Sequence, residues 1–144
     1  MASTIPRTTR KRATDAIAAK SLYVALFTNS LSTWNPLSDA QDTYTEVAAL
    51  FTEVASGNGY TTGGFALTES SSYIGATNAA SVFLATTTIP ACTFTFRYAV
   101  IYDHVAAPND FIEAVIEMPG GDKVATGGTI TIEWDAVNGV IKAA

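Results

Sequence analysis

The stretch Phe94-Thr95-Phe96-Arg97-Tyr98-Ala99-Val100-Ile101-Tyr102-Asp103 decides the fold class of this chain. Its even positions carry Phe, Phe, Tyr, Val and Tyr, and its odd positions are on the whole smaller or more polar. A period of two is typical of a β-strand, because successive side chains of a strand point to opposite faces of the sheet. The pattern therefore predicts one long strand over 94–103, with an aromatic face buried in a core.

Other alternating or apolar runs extend this prediction to a β-sheet protein. Residues 22–28 are apolar at nearly every position, which favours a strand with both faces covered. Further strands are predicted near 65–70, 82–89, 111–118, 129–134 and 140–141, separated by Gly, Pro and Asn turns. The predicted core residues share period-two placement; they are Leu22, Val24, Leu26, Phe94, Phe96, Tyr98, Val100, Ile130, Ile132 and Trp134.

Two segments have helical character instead. Residues 10–20 are rich in Ala and predict a short helix that Thr9 could cap. Residues 43–55 carry Val47, Leu50, Phe51 and Val54 at the spacing of an amphipathic helix. With 144 residues the chain fits one domain. We therefore expect a mainly β fold, a β-sandwich or jelly-roll-like domain over 21–144, with one short helix and an N-terminal arm or helix over 1–20.

Charge is unevenly distributed along the chain. Residues 1–20 hold five basic groups and one acidic group, for a net charge of +4, while the other 124 residues hold three basic and twelve acidic groups, for −9. A basic arm on an acidic body suggests docking onto a negatively charged partner, and the acidic body argues against direct nucleic-acid binding. The predicted arm contacts are Arg7, Arg10, Lys11, Arg12 and Ile17. A solvated, disordered terminus is the open alternative.

No residue pattern of an active site or metal centre is present. His104 is the only histidine, and no Gly-x-Ser-x-Gly motif accompanies it, so a catalytic triad is not expected. A metal site needs several converging ligands, and only Asp103 and Asp110 are available near His104 in the sequence. The single cysteine, Cys92, is expected to be a small core residue. We therefore predict a protein that is not an enzyme, with no catalytic residues, metal or cofactor.

Glu113 and Glu117 could suggest a glycosidase, but their spacing opposes it. Four residues apart on one strand, they would be separated by about 13 Å, at ~3.3 Å per residue. The carboxylate pairs of glycosidases lie about 5–9.5 Å apart. These two side chains are expected to face solvent.

Three aromatic residues in turn and loop regions are candidate surface contacts: Trp34, Tyr60 and Tyr73. Trp34 follows a run of polar residues and precedes Asn35-Pro36, which marks a loop. An aromatic side chain at such a position either covers the edge of a core or contacts a partner. No apolar run reaches the ~18 residues that span a bilayer, so no membrane partner is expected.

Three segments carry a resemblance to a known group of proteins. They are Gly57-Asn58-Gly59-Tyr60-Thr61-Thr62-Gly63-Gly64, the stretch 96–103, and Gly128-Thr129-Ile130-Thr131-Ile132-Glu133-Trp134. In this order they resemble segments of small β-rich virion structural proteins of tailed bacteriophages, and the likeness covers roughly residues 10–142. The chain departs from that pattern at 47–51, which is longer and more helical, and at Glu113-Ala114, where a glycine is usual.

The resemblance implies a particle component without chemistry. The expected function is that of a capsid cement or decoration protein, made in the host cytoplasm and bound to the outer surface of the head shell. Its implied partners are the major capsid protein and further copies of itself, in a homo-oligomer for which a trimer is favoured. The alternative is a tail or fibre accessory module that binds a host-surface glycan through exposed aromatic residues.

Overall fold

The computed structural model of the chain describes residues 5–74, 79–136 and 139–143, and the fold is mainly β, as predicted. Its elements in chain order are α1 (Arg7–Ala18), β1 (Leu22–Phe27), a 3₁₀-helix (Asn29–Thr33), α2 (Tyr44–Leu50), β2 (Phe65–Ala66), β3 (Glu69–Tyr73), β4 (Ala80–Leu84), β5 (Thr87–Phe96), β6 (Tyr98–Asp103), β7 (Ile112–Glu117), β8 (Lys123–Ile132) and β9 (Ile141–Ala143). The strands overlap the predicted positions, but the predictions near 65–70 and 82–89 each span the end of one strand and the start of the next, and the one over 129–134 covers only the end of β8. The predicted turn at Asn138-Gly139 falls partly outside the described residues.

The strands form three antiparallel sheets. Their strand orders are β2-β1-β6-β7, β3-β4-β9 and β5-β8. Strands β1 and β6 lie at the centre of the four-stranded sheet and pair from Leu22↔Asp103 to Phe27↔Tyr98. Every residue of β1 except Tyr23 is buried, which confirms that both faces of this strand are covered.

Two groups of buried side chains lie on the two faces of the β1–β6 ladder. The main core holds Leu22, Val24, Leu26, Val54, Tyr60, Leu67, Val82, Ile89, Cys92, Phe96, Ala99, Ile101, Met118, Ala125 and Ile132. The second core holds Ala25, Phe27, Leu31, Val47, Tyr98, Val100 and Tyr102. All three sheets contribute to the main core. The 3₁₀-helix and α2 cover the second core.

The predicted single strand over 94–103 is wrong at Arg97. Strand β5 ends at Phe96 and β6 begins at Tyr98 in a different sheet. The backbone N–H of Arg97 donates to the carbonyl of Phe27 at 2.8 Å as the chain passes between the sheets. Consequently Phe96 belongs to the main core, whereas Tyr98 belongs to the second core. Side chains still alternate between two faces on each strand. However, the even-numbered residues of β5 face the main core, whereas those of β6 face the second core.

The predicted core is otherwise confirmed. Leu22, Val24, Leu26, Phe96, Tyr98, Val100 and Ile132 are buried. Phe94, Ile130 and Trp134 are half-buried and pack against the main core. The cysteine thiol at Cys92 is also fully buried, as expected for a core residue.

The predicted helix near 43–55 exists as the shorter α2. Thr43 precedes it and accepts a hydrogen bond from the backbone N–H of Glu46, while the Glu46 carboxylate accepts one from the backbone N–H of Thr43. This reciprocal capping box satisfies donors at the helix start. The helix buries Val47 in the second core, whereas Leu50 remains 59% exposed. The 47–51 segment thus covers one face of the four-stranded sheet.

Residues 7–18 form a helix packed on the β-domain, not an arm that leaves it. Helix α1 lies against β3, β4 and β9, with Thr14 buried and Ile17 packed against the main core. Charged side chains fit this position because their apolar stems can lie along the sheet while their ends reach solvent. The predicted cap at Thr9 is wrong, because α1 begins earlier, at Arg7. The residue at its N-terminal cap is Pro6, and no side chain forms a capping hydrogen bond there.

The glycine-rich segment 57–64 has a packing role. A Cβ at Gly64 would lie 1.8 Å from the carbonyl oxygen of Val24, and Gly64 has a φ of +80°. No other residue type fits so close to β1 in that conformation. Between the glycines, Tyr60 enters the main core. This segment therefore holds the edge of the four-stranded sheet against β1.

We expect Phe96→Ala to lower the free energy of unfolding by about 3–5 kcal/mol, because it leaves a cavity in the main core. Chemical denaturation measures this loss. Val124→Ala is the control: Val124 lies on β8 and is 70% exposed, so its change should stay within about 0.5 kcal/mol. Equal losses in the two variants would contradict the assigned core.

Candidate functional site

Helix α1 presents the basic residues that the sequence singled out. The guanidinium carbon of Arg7 lies 3.8 Å from the ring centroid of Tyr73, an arrangement of the cation–π type. Lys11 pairs with Asp15 and bonds to the hydroxyl of Ser71. The Ser71 hydroxyl also donates to the Asp15 carboxylate, and the hydrogen bonds from Lys11 and then from Ser71 lower the pKa of Asp15. Arg12 is exposed. The helix is therefore a fixed cationic surface.

Ile17, the apolar member of the predicted arm contacts, does not contribute to this surface. Its side chain packs towards the main core of the same chain. The four basic residues and Ile17 thus lie on one helix but serve different contacts. Of the four basic residues, Arg7 and Arg12 are exposed, whereas Arg10 and Lys11 are half-buried.

The three candidate aromatic residues do not form one exposed platform. Tyr60 is only 3% exposed, which makes it a core residue and not a surface contact. Trp34 is half-buried against the second core, and its indole N–H donates to the carbonyl of Gln41 at 3.2 Å. Tyr73 has Arg7 over its ring. Trp34 therefore covers the edge of a core, the first of the two readings of the sequence.

Glu53, which no sequence pattern singles out, organises a group of tyrosines, of which Tyr60 and Tyr102 are buried and Tyr44 is half-buried. Its carboxylate accepts hydrogen bonds from the hydroxyls of Tyr44 and Tyr60, both at 2.6 Å, and from the backbone N–H of Gly63 at 2.8 Å. The Tyr60 hydroxyl also accepts from the N–H of Leu26 at 2.9 Å. No periodicity marks Glu53, because its role depends on residues distant in sequence.

Tyr102 completes this tyrosine group. Its ring stacks on that of Tyr44 with centroids 4.2 Å apart, and its hydroxyl donates to the carbonyl of Gly63 at 2.8 Å. Burial is the main cause that raises the pKa of Tyr44, Tyr60 and Tyr102 above the ordinary value of 10.0; the hydrogen bond to Glu53 comes next for Tyr44 and Tyr60, and the charge of Glu53 for Tyr102. These hydroxyls are held neutral and engaged, which suits a structural role.

The other ionisable candidates are also engaged in structural contacts. The ring of His104 stacks on that of Tyr23 at a centroid distance of 3.9 Å. Asp110 accepts from the hydroxyl of Thr45 at 2.6 Å. His104 is thus exposed and locally packed. Among residues 5–74, 79–136 and 139–143, no group of three or more His, Cys, Asp or Glu side chains could hold a metal ion.

Glu113 does not face solvent freely, which corrects the expectation for this side chain. It pairs with Lys20, and its side chain is only 13% exposed. The register of β6 and β7 shifts here, since Ile101 pairs with Ala114 and Tyr102 with Ile112. Glu117 is half-exposed and accepts two hydrogen bonds from Arg97, at 2.8 and 2.6 Å.

An apolar cleft of about 660 Å³ opens between the ends of the sheets. Its apolar lining comes mainly from Ile116, Met118, Val124, Ile130, Ile132 and Val140. Trp134 also lines it, with an indole N–H that is buried and has no hydrogen-bond acceptor. Glu117, Glu133 and Asp135 lie at the cleft together with Lys123, and Glu117 is paired with Arg97. The cleft therefore combines an apolar floor with an acidic border.

Comparisons with known proteins identify no relative of the chain. No protein-family model, curated protein or solved structure matches it. No helix within the described part of the chain has the length and apolar character needed to cross a bilayer. The basic surface of α1 and the acidic apolar cleft are thus the two features that bear on function.

We expect Tyr44, Tyr60 and Tyr102 to remain neutral when the pH is raised through 10.0, the ordinary tyrosine value. Because their pKa values are raised in the folded state, they contribute stability that is complete below pH 10.0 and is lost as the pH rises above it. The absorbance of tyrosinate, followed during alkaline titration, should show this group ionising together with loss of the fold. Full ionisation of all six tyrosines near pH 10 in a folded chain would contradict it.

Tyr60→Phe serves as the control for this titration. It should remove one late-ionising group and lower the free energy of unfolding at neutral pH by about 1–3 kcal/mol, since the Leu26 N–H and Glu53 lose a buried partner. Tyr73→Phe should cost less, because Tyr73 is half-buried at the end of β3. A larger loss of unfolding free energy for Tyr60→Phe than for Tyr73→Phe would support the assignment of Tyr60 to the buried hydrogen-bond network.

Proposed function

We propose that the chain is a non-enzymatic structural protein of a tailed-bacteriophage particle, a cement or decoration protein on the outer surface of the capsid. The observation that carries the proposal is the fixed cationic surface of α1 on an otherwise acidic domain. The resemblance of segments 57–64, 96–103 and 128–134 to virion proteins supplies the class of particle. In this proposal the major capsid protein and further copies of the chain are its partners.

The way α1 is held supports a docking role. The sheet beneath it buries Thr14, and Arg7 and Lys11 contact residues of β3. The helix is therefore ordered before any partner arrives, so binding does not have to offset the entropy of folding an arm. Arg12 projects from this ordered surface. Electrostatic attraction to an acidic surface of the shell would then orient the protein.

The arrangement of the sheets supports the finer fold that the resemblance implies. The main core receives Val24 from the four-stranded sheet, Val82 from the three-stranded sheet and Ile132 from the two-stranded sheet. Sheets that share one core in this way are compatible with a β-sandwich or jelly-roll arrangement. We include that architecture in the proposal.

The ionisable side chains support a role without chemistry. Glu53, Asp110 and Glu113 each accept hydrogen bonds or pair with a cation inside the fold. None of these carboxylates lines the apolar cleft. These three carboxylates thus stabilise the fold. A protein that only binds partners requires no catalytic group in addition.

Localisation on the particle separates this proposal from the glycan-binding alternative. Tyr60 is buried, so the aromatic platform of a tail or fibre module loses one of its three residues. Electron microscopy of particles carrying the labelled protein should place it over the head shell. Label confined to the tail or fibres would overturn the cement proposal.

We expect Arg12→Glu to reduce occupancy of the protein on purified particles several-fold, because it reverses an exposed charge on the docking helix. Quantitative gel analysis of particles saturated with each variant measures this. Arg12→Lys is the matched control, since it keeps the charge and should keep the occupancy. The difference between the variants should shrink at high ionic strength, where exposed charges are screened. Equal occupancy of Arg12→Glu and the unmodified chain at low salt would contradict the role of α1.

A further inference from the structure

A small pocket of about 170 Å³ lies between the loop that carries Trp34 and the start of β7. Aromatic, apolar and carboxylate side chains meet in its lining, which includes Trp34, Pro36, Asp42, Ile112, Glu113 and Ala114. We call it the Trp34 pocket. Its volume suits a single side chain, since pockets for drug-sized ligands hold about 300–1,000 Å³. It shares no lining residue with the apolar cleft.

The loop that carries Trp34 is held in one conformation by its own hydrogen bonds. The indole N–H of Trp34 donates to the carbonyl of Gln41 at 3.2 Å. The Gln41 side chain accepts from the N–H of Asn35 at 2.7 Å, and the Asn35 side chain accepts from the N–H of Leu37 at 3.0 Å. The indole ring is therefore fixed at the pocket before any partner arrives, which lowers the entropy cost of binding.

Asp42 places a negative charge at this pocket. Its backbone is fixed, because its N–H donates to the Glu46 carboxylate at 3.2 Å and its carbonyl accepts from the N–H of Ile112 at 2.8 Å. Its side chain is exposed, and within residues 5–74, 79–136 and 139–143 the carboxylate has neither an ion pair nor a hydrogen bond. The charge of Asp42 is thus available to a partner.

The surroundings of the pocket stay net negative when the ion pair within them is counted. Glu113 pairs with Lys20, and Lys20 also lies 3.9 Å from the carboxylate of Asp103. One cation thus serves two carboxylates, and Asp42 adds a third. Residues 21–96 carry five acidic and no basic side chains, so this stretch supplies no other counter-charge. The pocket therefore favours a cationic group.

An arginine side chain matches this combination of surfaces. Its apolar stem can lie along Pro36 and Ile112, while its charged end contacts the Trp34 ring and the Asp42 carboxylate. A guanidinium suits the site better than an ammonium, because its planar group both stacks on aromatic rings and pairs with carboxylates through two hydrogen bonds.

We infer that the Trp34 pocket receives Arg12 from a second copy of this chain. Arg12 is exposed on α1, and among the basic side chains that the structure describes it is the one without an ion pair, hydrogen bond or ring contact. Three of its four neighbours on the helix surface, Thr8, Thr9 and Ala16, are small and exposed, so its side chain can reach past them.

The position of the pocket makes the contact intermolecular. Helix α1 packs on β3, β4 and β9, whereas the pocket lies beside β7, an edge strand of the four-stranded sheet. Arg12 contacts no residue of the pocket in its own chain. Attraction between the basic helix of one copy and the acidic pocket of another then orients the two copies. The inference deepens the proposed function and rests on it for the presence of neighbouring copies on the shell.

Charge reversal on either side tests the contact. Arg12→Glu and Asp42→Arg should each weaken self-association of the full chain by about tenfold or more, because each brings like charges together. Sedimentation velocity at high protein concentration measures this. Asp39→Arg is the matched control: Asp39 is exposed in the same loop but does not line the pocket, so the same charge change should leave association nearly unchanged. Circular dichroism confirms that all three variants are folded.

Mixing Arg12→Glu with Asp42→Arg gives the most specific result. In the mixture, the new carboxylate of the first variant meets the new guanidinium of the second, and the unaltered Arg12 and Asp42 also meet. Association should therefore return to the level of the unmodified chain, although neither variant associates well alone. An indirect structural effect of either substitution would not be repaired by mixing folded chains. A mixture that fails to associate, or self-association unaffected by Asp42→Arg, would overturn the inference.

Particle binding separates this inference from the proposed function. Asp42→Arg leaves α1 unchanged, so it alters the contact between copies and not the helix that docks on the shell. A chain that stays monomeric at high concentration but occupies heads would overturn the pocket contact and leave the cement proposal standing. Loss of head binding by Asp42→Arg with unchanged self-association would also overturn it, because the pocket would then bind the shell. A chain that associates through the pocket but fails to bind heads would support the contact and overturn the cement proposal.

Discussion

The pairing of β1 with β6 is the constraint on which the rest of the structure depends. Six residue pairs join these strands, from Leu22↔Asp103 to Phe27↔Tyr98. Both strands are buried on both faces, so every other layer is arranged to cover them. One face meets the main core shared with the other sheets. The opposite face meets the 3₁₀-helix and α2, which bury Leu31 and Val47.

Buried polar groups fix how these layers meet. Glu53 accepts hydrogen bonds from two tyrosine hydroxyls and a backbone N–H, and one of those hydroxyls accepts in turn from Leu26 in β1. Glu53 is half-buried, and a carboxylate withdrawn from water needs hydrogen-bond partners, so this network tolerates few alternative packings. It ties the glycine-rich segment and α2 to the central ladder. The surfaces offered to partners are thereby presented on a fixed framework.

Two surfaces of the molecule differ clearly in their chemistry. Helix α1 packs on β3, β4 and β9 and leaves Arg7 and Arg12 exposed, whereas the cleft between the sheet edges has an acidic border and an apolar floor.

The sequence by itself determined the β character, the positions of most strands and most of the core, because period-two alternation and turn residues are local signals. It also located the cationic stretch that forms the face of α1. Only the tertiary structure decided that Tyr98 turns to a different core from Phe96, since the change of sheet at Arg97 leaves the alternation intact. Likewise, burial of Tyr60 beside Glu53, docking of α1 and formation of the cleft depend on residues far apart in sequence. Such contacts leave no periodic trace, and physical proximity in the folded chain alone creates them.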